Sequence, residues 1–487
     1  MLTVEEIKAF IDNDMSSTKK RLATVGQRYY EADHDIRNYR LFWIDADGEV
    51  REEKHRSNIK ISHPFFTELV DQQVQYMLSV KDGFVKSDDP DLQEQLDLYF
   101  NEDEDFVSEL NEVLTGCISK GFEYAFAYKN KEDRTAFQCA DSLGVVEVKK
   151  KETDDGCEYV IYHYLDRIGK DGKKIKRIQV WDEKQTTFFC QEDEGSIELD
   201  QSVEINPRPH IIWKNDGDEA TYFDGFGFIP FFRLDNNKKQ FSGLKPIKDL
   251  IDDYDLMACG LSNNIQDSNE TLFVVKGFDG DNLDELHFNV KNKKIIGVGE
   301  DGDVETRTVD IPVAARQTKL ELDEKNIYRF GFGLNTAGLK DTSATTNIAI
   351  KSAYSLLDLK ANKLEIRVKQ FMRKLLKVVL AEINERDGTD YQQKDVYFNF
   401  EREVMTNAQE NAQIGLTEAQ EQQIQITTML NLAAYLDDET LMQNICDILD
   451  IDYNEIKDKL PKKDESGLED AQSTLDSIEP DGGDLIE

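Results

Sequence analysis

Cysteine is sparse and scattered in this chain. The six thiols (Cys117, Cys139, Cys157, Cys190, Cys259 and Cys446) form no Cys-x-x-Cys pair. Their scatter is that of reduced cysteines in a cytosolic protein, not of a disulfide framework. Positive charge is also short: 59 Lys and Arg stand against 98 Asp and Glu, a formal net charge of −39. Phosphate binding needs neutralising cations, which argues against a surface that grips nucleic acid. A surface past which DNA slides is not excluded, since charge governs solubility and repulsion more than fold. No apolar run reaches the roughly 20 residues that span a bilayer. The N-terminal stretch MLTVEEIKAFIDND is acidic and amphipathic, unlike a secretory leader. The expectation is a protein made, and working, in a cytoplasm, with no membrane partner.

The signatures of catalysis are missing too. There is no His-Glu-x-x-His, no Gly-x-Ser-x-Gly, no phosphate loop ending in Gly-Lys-Ser/Thr and no Cys–His signature. The six histidines, His34, His55, His63, His163, His210 and His287, show no metal-ligand spacing on one element and read as structural or surface residues. Gly297-Val-Gly299-Glu-Asp-Gly302 matches a dinucleotide fingerprint in letters only. A strand-like run, Asp303–Ile311, follows where a helix should start, and Glu300 and Asp301 would repel phosphate, so a hairpin turn is the plainer reading. Asp45-Ala-Asp47-Gly48 lacks the later ligands of a calcium loop. Asp252, Asp253 and Asp255 are candidate nuclease ligands, but on an amphipathic helix they read as a solvated face. No catalytic, cofactor-binding or metal-binding residue is assigned.

What is present is a sizeable core in waiting: 39% apolar residues, with 26 Phe and 18 Tyr over 487 residues. At about 100–200 residues per domain, two to four domains are expected. Residues 1–120 read mostly helical, from stripes such as Phe65, Leu69, Val70, Val74, Met77 and Leu110, Val113, Leu114, Ile118. Residues 121–233 switch to strands, GFEYAFAY, CEYVIYHYL, IKRIQVW and QTTFFC, punctuated by turns such as Lys170-Asp171-Gly172.

At Gly243 the pattern changes again. Ile247, Leu250, Ile251, Tyr254, Met257, Ala258, Leu261 and Ile265 make one helical stripe ending near Asp267–Asn269. About 45 residues of strand and turn follow (TLFVVKG, LHFNV, KKIIGV, VETRTVDI). Pro312 opens a second, charged helix to about Phe330. A Gly/Thr/Asn-rich loop, GFGLNTAGLKDTSATTN, leads to residues 343–386, the longest helical pattern in the chain, capped by Ser343 or Thr342. Its seam is Ile350, Ala353, Tyr354, Leu357, Ala361, Leu364, Val368, Phe371, Leu375 and Val378, with Gly388 as its stop. VYFNFEREV then reads as one strand. Residues 407–460 return to helix, with Ile424, Ile426, Met429, Leu430 and Leu441, Ile445, Ile448, Leu449 as apolar faces. Residues 461–487, with nine acids against two lysines, read as disordered.

Three stretches carry a resemblance to a known family. Ile229-Pro230-Phe231-Phe232-Arg233-Leu234-Asp235-Asn236-Asn237 is similar to an Ile-Pro-apolar run ending in Asn-Asn. Leu250-Ile251-Asp252-Asp253-Tyr254-Asp255, with Ser262-Asn263-Asn264 beyond, resembles a first stem helix. Ala349-Ile350-Lys351, followed by Ala361, Glu365 and Phe371, opens the long helix. In this order they resemble the portal proteins of tailed bacteriophages, in the type common among siphophages of Gram-positive hosts, over roughly residues 40–460. One departure is the segment Ser343-Ala344-Thr345-Thr346-Asn347, where the family often has Ser-Gly.

The resemblance implies an α+β portal-type fold. It divides the chain into a helix-plus-strand wing (1–242), stem helix 1 (243–268), a small β-containing clip (269–312), stem helix 2 (313–330) and a tunnel loop (331–343). A very long spine helix (344–388), a wing return strand (389–405), a helical crown (406–460) and an acidic tail (461–487) complete it. It implies a ring of copies, commonly twelve, at one capsid vertex of the virion, assembled in the host cytoplasm. Double-stranded DNA would pass through without sequence specificity, touching the loop at Asn335, Thr336, Leu339, Lys340 and Asp341. The clip, at Phe288, Val290, Lys293 and Lys294, would meet the terminase and later the head-completion adaptor. Scaffold and major capsid protein are further implied partners. Two other classes stand beside this one: an acidic metal-dependent nuclease or phosphodiesterase built on the Asp252–Asp255 cluster, and a scaffold protein unrelated to phage.

Overall fold

The computed structural model describes residues 2–45, 47–54, 56–80, 83–150, 156–169, 172–213, 222–268, 272–276, 282, 302–307, 312–335, 347–402, 408–432 and 438–448. Two compact units emerge. The first takes in Met1–Ala344 and Lys351–Val404, the second Thr345–Ile350 and Met405–Glu487.

Helices dominate the start of the first unit: α1 (Val4–Met15), α2 (Thr18–Tyr30), α3 (Phe65–Leu78), α4 (Pro90–Leu96) and α5 (Glu104–Lys120). Their starts are written locally. Thr3 and Glu6 form a reciprocal capping box on α1. Asp89 accepts the Asp91 and Leu92 amides ahead of α4, with Pro90 at the first helical position. Asp103 does the same for α5. Gly121 ends α5 at φ +100°, and a Cβ there would lie 2.3 Å from the Gln240 carbonyl, so only glycine serves. Between these helices lie a hairpin, β1 (Phe42–Ile44) with β2 (Val50–Glu52), and the short β3 (Val85–Ser87).

The strand-rich layer follows as expected from sequence. It comprises β4 (Phe122–Lys129), β5 (Thr135–Ala140), β6 (Val145–Lys149), β7 (Cys157–Ile168), β8 (Lys174–Trp181), β9 (Gln185–Glu192), β10 (Ile197–Leu199), β11 (Arg208–Pro209), β12 (Ile211–Trp213), β13 (Tyr222–Asp224) and β14 (Phe231–Asp235). Strands β6 to β10 form one antiparallel meander, with β11 also on β9, while β14 returns across about a hundred residues to pair with β4. Alternation along β4 feeds two cores: Phe122 and Tyr124 face one cluster with Trp181 and Val160, and Ala125 and Ala127 face the largest.

Next come α6 (Lys248–Ser268), a ladder of β15 (Leu272–Lys276) with β16 (Asp303–Arg307), α7 (Val313–Gly331), the 41-residue α8 (Asn347–Asp387) and β17 (Val396–Phe398). From Leu357 onward α8 supplies the axis of the main core. Leu357, Ala361, Leu364, Val368, Phe371, Met372, Leu375, Leu376, Val379 and Ile383 are each at most 2% exposed and pack with α3, α5, α6 and α7 residues. Gly388, at φ +67°, is the helix stop expected. The second unit contains α9 (Ala408–Asn431) and α10 (Asp438–Ile448), with Leu441 and Cys446 buried.

Three sequence expectations are adjusted. The run 396–404 is not one long strand: β17 pairs with β3 only through Phe398, because the Asn399 side chain turns back to accept the Glu401 amide and breaks the ladder. Ile424, read as part of an apolar face, is 64% exposed. Asp45 and Asp47 do build a turn, with Asp45 accepting the Asp47 and Glu49 amides at 3.0 and 2.9 Å inside the β1–β2 hairpin. The caps Thr342 and Ser343, the strands LHFNV and KKIIGV, the glycines Gly297 and Gly299 and the tail at 461–487 lie outside the described residues.

Candidate functional site

The most built feature of the described chain is the way α6 is held. An extended segment, residues 57–63, runs antiparallel along it. Alternate amides of the segment meet side chains four residues apart on the helix. His63 N–H donates to Asp255 at 3.0 Å, Ile59 N–H to Asn263 at 2.7 Å and Ser57 N–H to Asp267 at 3.2 Å. Between them Ile61 N–H reaches the Cys259 sulfur at 3.2 Å. The match is metric. Two residues of extended chain advance about 6.6 Å and four residues of helix about 6.0 Å. The two repeats stay in step over this length, so an edge of backbone that no strand covers is satisfied by a helix.

Asp255 is the foot of this strap. Its carboxylate is fully buried and faces two imidazoles, His34 Nδ1 at 2.6 Å and His63 Nδ1 at 2.7 Å. Burial pushes its pKa up, but the hydrogen bonds from His34 and His63 outweigh that and hold it below the ordinary carboxylate value. An ionised carboxylate only accepts, so both Nδ1 atoms carry the proton. His34 is itself buried and stacked on Tyr29, with ring centroids 4.5 Å apart. This corrects the solvated-face reading of Asp255: the helix turns that residue inward, against side chains from residues 34 and 63 that sequence spacing could not bring together.

Its neighbours are also committed. Asp252 accepts from the Tyr29 hydroxyl and from Lys248 at 2.6 Å, and Lys248 also reaches Asp35 at 2.7 Å. Burial and the bond to Asp252 push the Tyr29 pKa up. Asp253 binds Lys319 of α7 at 2.6 Å, and the same ammonium binds Asp323, which is 2% exposed. These contacts join α6 to the N-terminal helices and to α7. The three aspartates are engaged by protein cations, imidazoles and a phenol, so the metal-ligand role on which the nuclease reading rested loses its carboxylates.

The other end of α7 is clamped as firmly. Gly331 and Gly333 press against α3: a Cβ on Gly331 would lie 2.6 Å from Leu69 Cδ1, and one on Gly333 2.0 Å from Leu69 Cδ2. Gln72 holds Leu334 at both backbone positions, accepting its amide at 2.9 Å and donating to its carbonyl at 3.0 Å. Tyr328 donates to Glu68 at 2.6 Å. Lys360 of α8 reaches the Gly331 carbonyl at 2.8 Å, where the α7 dipole favours a cation, while desolvation lowers its pKa to about 8. Asn335, the first of the expected loop residues, donates to Glu324 at 3.2 Å. Thr336, Leu339, Lys340 and Asp341, and the clip residues Phe288, Val290, Lys293 and Lys294, lie outside the described residues.

Sequence reasoning missed the strap. Its signal is a polar stripe, Asp255, Cys259, Asn263 and Asp267, at strict four-residue spacing beside the apolar one.

Comparison with known proteins gives a consistent result. The family described as "Phage portal protein, SPP1 Gp6-like" matches residues 8–460. The portal protein of Bacillus phage SPP1 is 29% identical over 351 residues, covering 72% of this chain and 67% of that one. The portal protein of Clostridium phage phiCD119 is 24% identical over 431 residues, covering 85% and 89%. Among solved structures, a chain from the neck of a native GTA particle computed with C12 symmetry aligns at a TM-score of 0.37 and 10% identity, covering 79% of this chain and 89% of that one. One from the neck of an empty GTA particle computed with C6 symmetry gives 0.38 and 12%, covering 79% and 90%. These last likenesses are too loose to bear on assembly. The resemblance drawn from residues 229–237, 250–264 and 349–371 is borne out.

Proposed function

This chain belongs to the SPP1 Gp6-like phage portal proteins, and from that premise we propose how its parts divide the work of a portal subunit. The family is structural rather than catalytic, and its members are capsid components of the virion. The observation that carries the reading is the family match over residues 8–460, together with an unbroken order of parts: α6, the β15–β16 ladder, α7, a clamped loop start and α8.

In this reading α6 and α7 are the stem, and residues 269–312 between them are the clip that meets the terminase and then the adaptor. The buried Asp253–Lys319–Asp323 contact supports a stem that moves as one piece. Residues 1–242 with 389–405 are the wing, 344–388 the spine and 406–460 the crown. The strap at 57–63 transmits load between stem and wing, since it joins them by backbone hydrogen bonds along the helix instead of at one point.

The ring holds copies of this chain, twelve in our proposal. DNA must slide through it at every base sequence, so base contacts would hinder it. An acidic lumen repels phosphate, and Lys340 in the loop 331–343 offers transient, salt-dependent contact. The clamped start at Gly331–Asn335 supports a loop that is anchored at one end.

Two measurements test this. Mass photometry should find particles of about 670 kDa for twelve chains of 56.0 kDa. A monomer at all concentrations, even with scaffold protein present, counts against the reading. Deleting Asn335–Asp341 should leave rings intact and impair DNA packaging or retention. Rings that fail to form would make the loop structural and remove its proposed role.

A further inference from the structure

We propose that the β1–β2 hairpin is an arm by which one subunit grips a second copy of this chain. The proposal rests on the portal reading, which requires such copies, and goes beyond it by naming the surface.

The hairpin presents apolar side chains to solvent in a form that no single copy covers. Phe42 is 60% exposed, Ile44 70% and Val50 67%. The register pairs Ile44 with Val50 and Phe42 with Glu52, which puts Phe42, Ile44 and Val50 on one face. Trp43 and its partner Arg51 lie on the other. A two-stranded ribbon is marginal by itself in water, and exposed apolar residues on one are a cost unless something covers them.

The hairpin is nonetheless held firmly. Arg51 binds Asp45 at 2.5 Å across its turn, and Glu53 N–H donates to Leu41 at 2.8 Å at its base. Both roots are tied to the strap: Asn58 donates to the Tyr39 carbonyl at 3.3 Å and Lys60 to the Arg37 carbonyl at 3.2 Å. The strap in turn is zipped to α6. The apolar face is therefore mounted on the rigid part of the molecule and left bare.

Charge says which partner fits. Residues 37–60 carry six cations, Arg37, Arg40, Arg51, Lys54, Arg56 and Lys60, against the five acids Asp45, Asp47, Glu49, Glu52 and Glu53. The chain as a whole stands at −39. Copies of it repel one another everywhere except where a local excess of cations offsets the field, and this hairpin is such a place. A closed ring joins unlike faces of neighbouring copies, so the arm need not complement itself. Its apolar face is small beside the roughly 800 Å² per partner of a stable interface, which makes it one part of a larger contact.

The test uses the full-length chain. The variant Phe42→Ser/Ile44→Ser/Val50→Ser should raise the concentration at which rings dissociate at least tenfold in mass photometry, with the far-ultraviolet circular dichroism of the subunit unchanged. A photocrosslinker placed at position 42 alone should give subunit–subunit adducts in intact rings, whether or not the triple variant folds. Rings as stable as the parent's, or adducts confined to the same chain or made only to a scaffold, capsid or motor protein, overturn the proposal and leave the portal reading standing. A parent chain that forms no ring overturns both.

Discussion

His63 meets Asp255 twice, through its backbone N–H at 3.0 Å and through Nδ1 at 2.7 Å. One carboxylate thus fixes both the path of the strap and the rotamer of the histidine that ends it, and the same group holds His34 from the other side.

Replacing Asp255 by Ala leaves His34 buried and the His63 amide without its acceptor. The expected loss is about 3 kcal/mol or more in denaturant unfolding, the range for breaking a buried charged pair. Hydrogen exchange at the His63 amide should rise with it. A loss under about 1 kcal/mol, within the ordinary worth of one neutral hydrogen bond, would show the contact to be incidental.

Further along the zip the effects should be local. Asn263→Ala removes the acceptor of Ile59 N–H and Asp267→Ala that of Ser57 N–H. Each should cost about 1 kcal/mol. Exchange should accelerate at the amide concerned while the His63 amide stays protected. Uniform acceleration along 57–63 would mean that the strap opens as a unit.

At the loop start, Gly333→Ala places a methyl 2.0 Å from Leu69 Cδ2, in a buried site. Overpacking of this kind costs about 1–3 kcal/mol. Adding Leu69→Ala should relieve the clash, so the double variant should lose less than the sum of the two single losses. Strict additivity in a double-mutant cycle would refute the contact as the cause.

Acid should act on the strand layer before it acts on the strap. Burial lowers the pKa of His163 and of His210 to about 4. Both favour the neutral ring when folded, so the unfolded chain takes up protons first as pH falls below about 6.5. Stability should therefore decline from about pH 6.5 to about 4. Asp255 has the opposite sign of linkage: its contribution is present above the ordinary carboxylate range and is lost only below it. His210→Phe should flatten the decline between pH 6.5 and 4 in thermal melts. An unchanged slope would assign the decline to other groups.

Much of this protein was legible because its signals are local. The three–four seam from Leu357 to Val378 announces α8, since a helix that buries one face repeats its apolar residues at its own pitch. The strands β4, β7, β8 and β9 follow from β-branched and aromatic runs between turns. The order of parts around α6, α7 and α8 was enough to suggest the family.

Partnership was decided only in three dimensions. Asp252, Asp253 and Asp255 are chemically alike and adjacent in sequence, yet the helix turn sends the first to Tyr29 and Lys248, the second to Lys319 and the third into a buried pair of histidines. Their fates differ because 100° per residue separates them on α6 and each direction meets a different element. The strap has no periodic pattern of its own, since its hydrogen bonds are made by backbone amides that every residue possesses. Their acceptors lie some two hundred residues away. Only the folded chain, by laying an extended repeat beside a helical one of nearly equal length, could join them.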